Sequence, residues 1–241
     1  MGVILAVIGA LLLTPDTLLM RLSQLDGWNM LIWRGSLSGL AYFVIWAVLN
    51  GSKTLPKVVT FNFSTLICCQ ILNAVFFSLA IALAPVVIVL IGVATAPVFA
   101  ALLSRFILNE PISKLTLVTA FVVLAGLLIS LLGHDVAGLG LDTTTLVGLL
   151  LGLGVAFALA MNFTLIRKDS EAPFVLALSI GAICAALVGF LCADTLQWLS
   201  VPKMMSIAFT GICILPLSFV ALSYAAGSIK SSTVSLIMLS E

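Results

Sequence analysis

Hydrophobic positions in this chain come in continuous runs of about twenty residues, the length an α-helix needs to cross the hydrocarbon core of a bilayer. The pattern predicts helices near 3–22, 28–49, 61–83, 85–108, 113–132, 146–166, 173–193 and 204–226, with a ninth beginning around Lys230 and cut off at Glu241. The stretches between them read NGSKTLPK, NEPISK, GHDVAGLGLDTTT, RKDSEAP and SVPK, rich in the residues that make turns. The opening MGVILAVIGALLL lacks the basic residues that begin a signal peptide, and its apolar character resumes after Asp16, so it reads as the first span.

A few polar positions interrupt these runs. LLLTPDTLLMR, residues 11–21, places Pro15 and Asp16 inside a predicted span. Proline deletes a backbone donor and a carboxylate loses its water there, which the membrane tolerates where the segment lines protein or a cavity. Arg34 is the natural partner. Asp16 lies near the end of the first helix and Arg34 near the start of the second, so at 1.5 Å per residue both sit about 9 Å below the same boundary. The pair reads equally as a lock between two helices and as the polar wall of a cavity. Arg34, Ser38 and Tyr42 recur at every fourth position of the second helix and share one face. Gln70, Asn73 and Phe77 are offered by the third, Thr95 by the middle of the fourth and Asn162 by the sixth. Together with Asp16 these are the candidate cavity residues. Pro15, Pro97 and Pro216 are the candidate kinks for gating.

Composition narrows the class. Hydrophobic residues make up 63% and charged residues 8% of the chain, with a mean hydropathy of +1.34, against roughly 25% charged residues in a soluble domain. A water-exposed globule is excluded, and an all-α polytopic membrane protein is expected. A net charge of +1 without a basic patch argues against nucleic acid as a partner. The five cysteines lie in apolar runs without ligand spacing and read as buried hydrophobes, and the single histidine, His134, falls in a predicted loop. Neither a metal nor a cofactor is therefore expected. Lys53, Lys57, Arg105, Lys114, Arg167, Lys168 and Lys230 all fall on one side of the membrane, against Arg21 and Lys203 on the other. Cytoplasmic loops retain Lys and Arg, so the N-terminus is expected inside, in a cytoplasmic (inner) membrane. Trp28 and Trp198 read as outer interface anchors. Trp33 reads as an anchor too, or as a stacking surface, and Glu110 as a helix cap balancing Arg105 and Lys114.

An internal repeat is also legible. An offset of 146 places Gly2, Ala6, Ala10 and Thr14 on Gly148, Gly152, Ala156 and Ala160, Asp16 on Asn162 and Arg21 on Arg167. An offset of 145 places SLA at 78–80 on SYA at 223–225 and Asn73 on Ser218. Small residues at every fourth position let helices approach closely in lipid. A unit of five helices is odd in number, so its second copy must enter the membrane upside down, an architecture typical of secondary transporters. The division expected is 1–133 for the first repeat, 134–145 for an extracytoplasmic connector and 146–241 for an incomplete second repeat. The repeat predicts a whole chain of about 280 residues, of which some eight and a half helices are present here.

The segment NAVFFSLAIALAPVVIVLIGVATAPVFAALLSRFILNEPISKLTLVTAFVVLAGLLIS, residues 73–130, resembles the third-to-fifth-helix signature of the EamA-like branch of the drug/metabolite transporter superfamily. It carries the Ala80 and Pro97 pair, the run ending at Glu110 and the Gly126 of that pattern, and WRG at 33–35 is similar to the family's second-helix arginine. The resemblance implies ten helices in two inverted five-helix repeats around a central substrate cavity. The function it implies is secondary transport of a small polar or amphipathic metabolite. The expected partners are the bilayer and that small molecule; a proton or counter-substrate and a second copy of the chain are further candidates. No phosphate-binding loop of the G-x-x-x-x-G-K-[ST] form occurs to couple transport to ATP. The competing classes are a non-transporting membrane scaffold and an intramembrane enzyme, for which Asp16 is the lone catalytic candidate.

Overall fold

The computed structural model describes residues 2–50, 60–110, 143–170, 172–198 and 200–238, with Val118, Phe121, Val122, Ala125 and Gly126. These residues are all-α. The helices are α1 (Gly2–Leu13), α2 (Asp16–Ser23), α3 (Gly27–Asn50), α4 (Phe61–Leu83), α5 (Val86–Val93) and α6 (Ala96–Ile107). They continue as α7 (Thr143–Lys168), α8 (Phe174–Cys192), α9 (Val201–Phe209), a π-helical turn (Thr210–Ile214), α10 (Leu215–Ser228) and α11 (Ser231–Met238). Among the described residues seven segments are long and apolar enough to cross a membrane: Gly2–Ser23, Gly27–Leu49, Phe61–Leu83, Val86–Ile107, Thr143–Lys168, Phe174–Cys192 and Val201–Ser228. The predicted spans match them to within a few residues at each end. Most of the predicted fifth helix, His134 and Lys114 lie outside the described residues.

Three of the seven segments are broken, each beside a candidate proline. α1 and α2 part at Thr14-Pro15, where Pro15 cannot donate to the Leu11 carbonyl and the Thr14 hydroxyl bonds back to Ala10 O at 3.4 Å. α5 and α6 part at Ala94-Thr95, ahead of Pro97. There the Thr95 hydroxyl donates to Gly92 O at 2.7 Å. Ahead of Pro216 the helix widens into the π turn instead.

Large apolar side chains such as Leu11, Leu40, Val48, Phe61, Phe106 and Leu191 point outward. In a bilayer that is the stable arrangement, and the interior can be built from small residues. α3 runs along α8, α4 along α7 and α1 along α10, while α5 and α6 also lie on α7 and α11 lies on α6. These seams are too close for side chains. A Cβ on Gly35 would lie 2.9 Å from Ala182 O, and one on Gly152 would lie 2.5 Å from Val89 O. The Ser179 hydroxyl closes the α3–α8 seam by donating to Gly39 O at 2.8 Å.

The buried-hydrophobe reading of the cysteines needs correction. Cys69 is buried, but Cys68 and Cys192 are exposed on the outer surface and Cys184 and Cys213 are half-buried, all as free thiols. In lipid an exposed thiol is as comfortable as any small hydrophobe.

At the end of the bundle where α3 begins, Asp26 caps that helix, accepting from the Asn29 N–H at 2.7 Å. The Asn29 side chain then ties down the chain that follows α8. Its Nδ2 donates to Thr195 O at 2.9 Å and its Oδ1 accepts from the Gln197 N–H at 2.9 Å. Trp33 Nε1 donates to Gln197 O at 3.2 Å, and its ring meets Trp198 edge-on at 6.0 Å. Asn29→Ala removes both ties. It is expected to cost about 1–3 kcal/mol and to raise hydrogen exchange at residues 194–198 while leaving α3 and α8 protected; unchanged exchange there would show the ties to be idle.

Candidate functional site

Among the described residues, helix breaks and small seams leave a cavity in the middle of the bundle, where a few polar and charged side chains break a mostly apolar lining. It is lined by residues from α1 to α5 and from α7, α8, α10 and α11, so both halves of the sequence contribute to its wall. Its volume is about 60 Å³, room for a few water molecules.

Asp16 opens α2 directly after the Pro15 break, and the break turns its carboxylate inward rather than to lipid. Arg34 projects from the second turn of α3 at the same level, and its Nη2 donates to Asp16 Oδ2 in a buried ion pair. Asp16 is 1% exposed and Arg34 7%. The pair is incompletely made: Asp16 Oδ1 and Arg34 Nε are buried with no hydrogen-bond partner. The guanidinium also lies over the Phe77 ring, 5.4 Å from its centroid, which holds a cation without using its donors.

Of the nine candidate residues, Asp16, Arg34, Ser38, Gln70, Asn73 and Phe77 line the cavity together. The other three stand elsewhere. Tyr42 is fully buried one turn beyond Ser38, where its hydroxyl donates to Leu215 O at 3.2 Å, the carbonyl directly after the π turn. Its role in the structure is to tie α3 to that irregular turn. Thr95 caps the break between α5 and α6, as above. Asn162 lies behind the wall, its Nδ2 reaching Gln70 Oε1 at 3.5 Å, with its own Oδ1 buried and unpartnered. The kink candidates flank the site without forming its surface: Pro15 and Pro97 sit beside helix breaks, and Pro216 follows Leu215, which does line it.

Several residues at the site carry no obvious sequence signal. Gly35, Ala182 and Met238 line the cavity because seams happen to converge there. Ser78 also lines it, with a buried unpartnered hydroxyl, and here the repeat expected from the sequence offers a clue. The offset of 145 pairs Ser78 with Ser223 and Asn73 with Ser218, and both of those hydroxyls are likewise buried and unpartnered. At the two ends of the bundle, charge goes where sequence reading did not place it. Arg21 donates to Ala84 O at the end of α4. Glu110 accepts from Arg167 Nε at 3.0 Å, joining the end of α6 to the last turn of α7, while Lys114, one of its expected partners, lies outside the described residues. Asn109, with a left-handed φ of 54°, turns the chain toward that partner.

No curated protein matches the chain. A crystal structure of another protein, 16% identical, superposes on 99% of this chain and 84% of its own with a TM-score of 0.76. Identity that low speaks to the fold alone. The profile of the EamA-like transporter family matches residues 1–132, more than half of the chain, so this multi-pass membrane protein belongs to the EamA-like transporter family.

Proposed function

We propose that the chain is a secondary transporter that moves a small polar or amphipathic metabolite across the cytoplasmic membrane by alternating access, with its N-terminus inside. The observation that carries this reading is the half-made Asp16–Arg34 pair on a central cavity walled by both halves of the sequence. A purely structural lock would be expected to satisfy its own donors and acceptors, whereas a site that exchanges its contacts with a ligand keeps some free. At about 60 Å³ the cavity is far smaller than the roughly 300–1,000 Å³ of a loaded ligand pocket. Opening must therefore precede loading.

The rocking unit is proposed to be the inverted repeat, 1–133 against 146–241. Its support is the exchange pattern of the packing. α3 on α8 pairs a helix with its own counterpart, and α4 on α7 becomes α10 on α1 when the halves are exchanged.

A non-transporting scaffold needs no unsatisfied ion pair in its centre, and an intramembrane enzyme needs more than one reactive group at one depth. Flux of a metabolite panel into proteoliposomes holding the purified protein tests the reading. Saturable uptake of one class is expected, and a protein that moves none of a broad panel would remove the proposal. Orientation is checked by cysteine labelling from outside intact cells, where positions in 167–172 are expected to stay unmodified; strong labelling there contradicts the proposed topology.

A further inference from the structure

We propose that this cavity is built for a small monocarboxylate that travels with one proton, Asp16 and the cargo carboxylate alternating as the counterion of Arg34. The proposal rests on the transporter reading above and names its cargo class.

Nε and Nη2 are the two donors on one edge of the guanidinium, the edge that grips a carboxylate in bidentate fashion. Here Nη2 is taken by Asp16 Oδ2, while Nε and the second carboxylate oxygen, Oδ1, have no partner though both are buried. A two-pronged site is thus occupied by one prong. The space beside it carries the amides of Gln70 and Asn73 and the hydroxyl of Ser38, next to the Phe77 ring and Leu31. That combination suits a charged head with a short organic tail.

Charge conservation limits the cargo to a species that leaves the site neutral, and the unpartnered Nε of Arg34 favours a carboxylate that brings its own proton. The cavity wall contains two ionisable groups among the described residues, Asp16 and Arg34, and their charges sum to zero. Arg34 keeps its proton under all ordinary conditions, while a carboxylic acid can gain one. An anion arriving alone would leave the low-dielectric interior negative, and a cation arriving alone would meet a guanidinium already there. An anion arriving with a proton changes nothing in total. Asp16 carboxylate accepts H⁺ to form its O–H bond and releases the guanidinium, and the cargo carboxylate takes its place. The site is neutral before and after.

Among the described residues the neighbouring charged and titratable groups are engaged elsewhere. The Tyr42 hydroxyl, on the same face of α3, donates to Leu215 O at 3.2 Å. Arg21, on the same helix as Asp16, reaches Ala84 O, and Lys203 of α9 donates to Gln24 at 2.8 Å. Asp26, on the approach to α3, is held by Asn29 at 2.9 Å. The elements α4, α5, α7, α8 and α10 present only neutral side chains to the cavity. A zwitterion would instead hold Asp16 ionised and require no proton.

Calorimetry of the purified protein with L-lactate, run in two buffers of different ionisation enthalpy, tests the exchange directly. One proton is expected to be taken up per lactate bound, so the affinity should fall about tenfold for each unit that the pH is raised. A flat pH profile, binding without proton uptake, or tighter binding of glycine betaine or tetramethylammonium overturns the proposal. These measurements use the unmodified chain and depend on no variant folding. Asp16→Asn adds a second arm: it leaves Arg34 without a counterion, so lactate is expected to raise its thermal midpoint while chloride and glycine betaine at the same concentration do not. Rescue by chloride equal to that by lactate overturns the carboxylate assignment. Arg34→Gln is expected to lose lactate affinity by at least about tenfold. Flux of some other solute with none of these signatures overturns the cargo class alone, whereas absence of any flux overturns the transporter reading beneath it.

Discussion

Asp16→Asn is expected to harm the protein more than Arg34→Gln, and the double substitution Asp16→Asn with Arg34→Gln less than either. Removing one member of a buried ion pair leaves the other uncompensated, at roughly 3–5 kcal/mol. The two orphans differ in what they can do next. A stranded carboxylate can take up a proton and become neutral, but a stranded guanidinium cannot lose one. The Phe77 ring at 5.4 Å still supports it, a contact worth about 0.5–2 kcal/mol. Two amides of similar shape carry no charge and can hydrogen-bond to each other, so the double variant should recover most of the folded yield. The readout is the monodisperse yield from detergent and its thermal midpoint, set beside solute flux. Recovered folding without recovered flux places the pair in transport. Recovered flux shows the charges to be dispensable, and equal harm from the two single changes refutes the charge argument.

Gly152→Leu is expected to leave almost no folded protein. A Cβ on Gly152 would stand 2.5 Å from Val89 O and 3.1 Å from the Gly92 Cα, and one on Gly92 would stand 2.8 Å from the Gly152 Cα. Each helix therefore presents backbone to the other, with no flexible side chain that could yield. Even Gly152→Ala must push α5 away from α7, at about 1–3 kcal/mol. A leucine separates helices whose attraction in lipid comes from close packing rather than from the hydrophobic effect. Gly227→Ala is the control, since the nearest atom its Cβ would meet is Ser170 Cβ at 3.8 Å. Loss of stability confined to Gly152 variants is the expected pattern. Normal yield of Gly152→Leu would show that α5 can move off α7 freely.

The spans were readable from the sequence because the bilayer imposes a length on every helix that crosses it, and twenty-residue apolar runs leave few other readings. The helix breaks were readable for a similar reason: Pro15, Pro97 and Pro216 each remove a donor, whatever surrounds them. Matched depth also brought Asp16 and Arg34 together on paper, since two residues equally far from one boundary on consecutive helices need only the right rotation to meet.

Rotation is where sequence reading stopped. Tyr42 shares a helical face with Arg34 and Ser38, yet it points past the cavity to the Leu215 carbonyl, because the π turn brings that carbonyl within its reach. Asn162, which the offset of 146 sets on Asp16, stands behind Gln70 rather than in the open cavity. Glu110 found Arg167 from a helix distant in sequence, and the strap held by Asn29 joins residues 168 positions apart. Composition and periodicity determined that this chain lies in a membrane, roughly where it crosses and which polar residues need partners. Only the tertiary structure decided which side chains share one cavity and which hydrogen bonds are left unmade. Those depend on how closely the glycine and alanine seams let the helices approach and on how far each helix is turned about its own axis, and a one-dimensional pattern records neither.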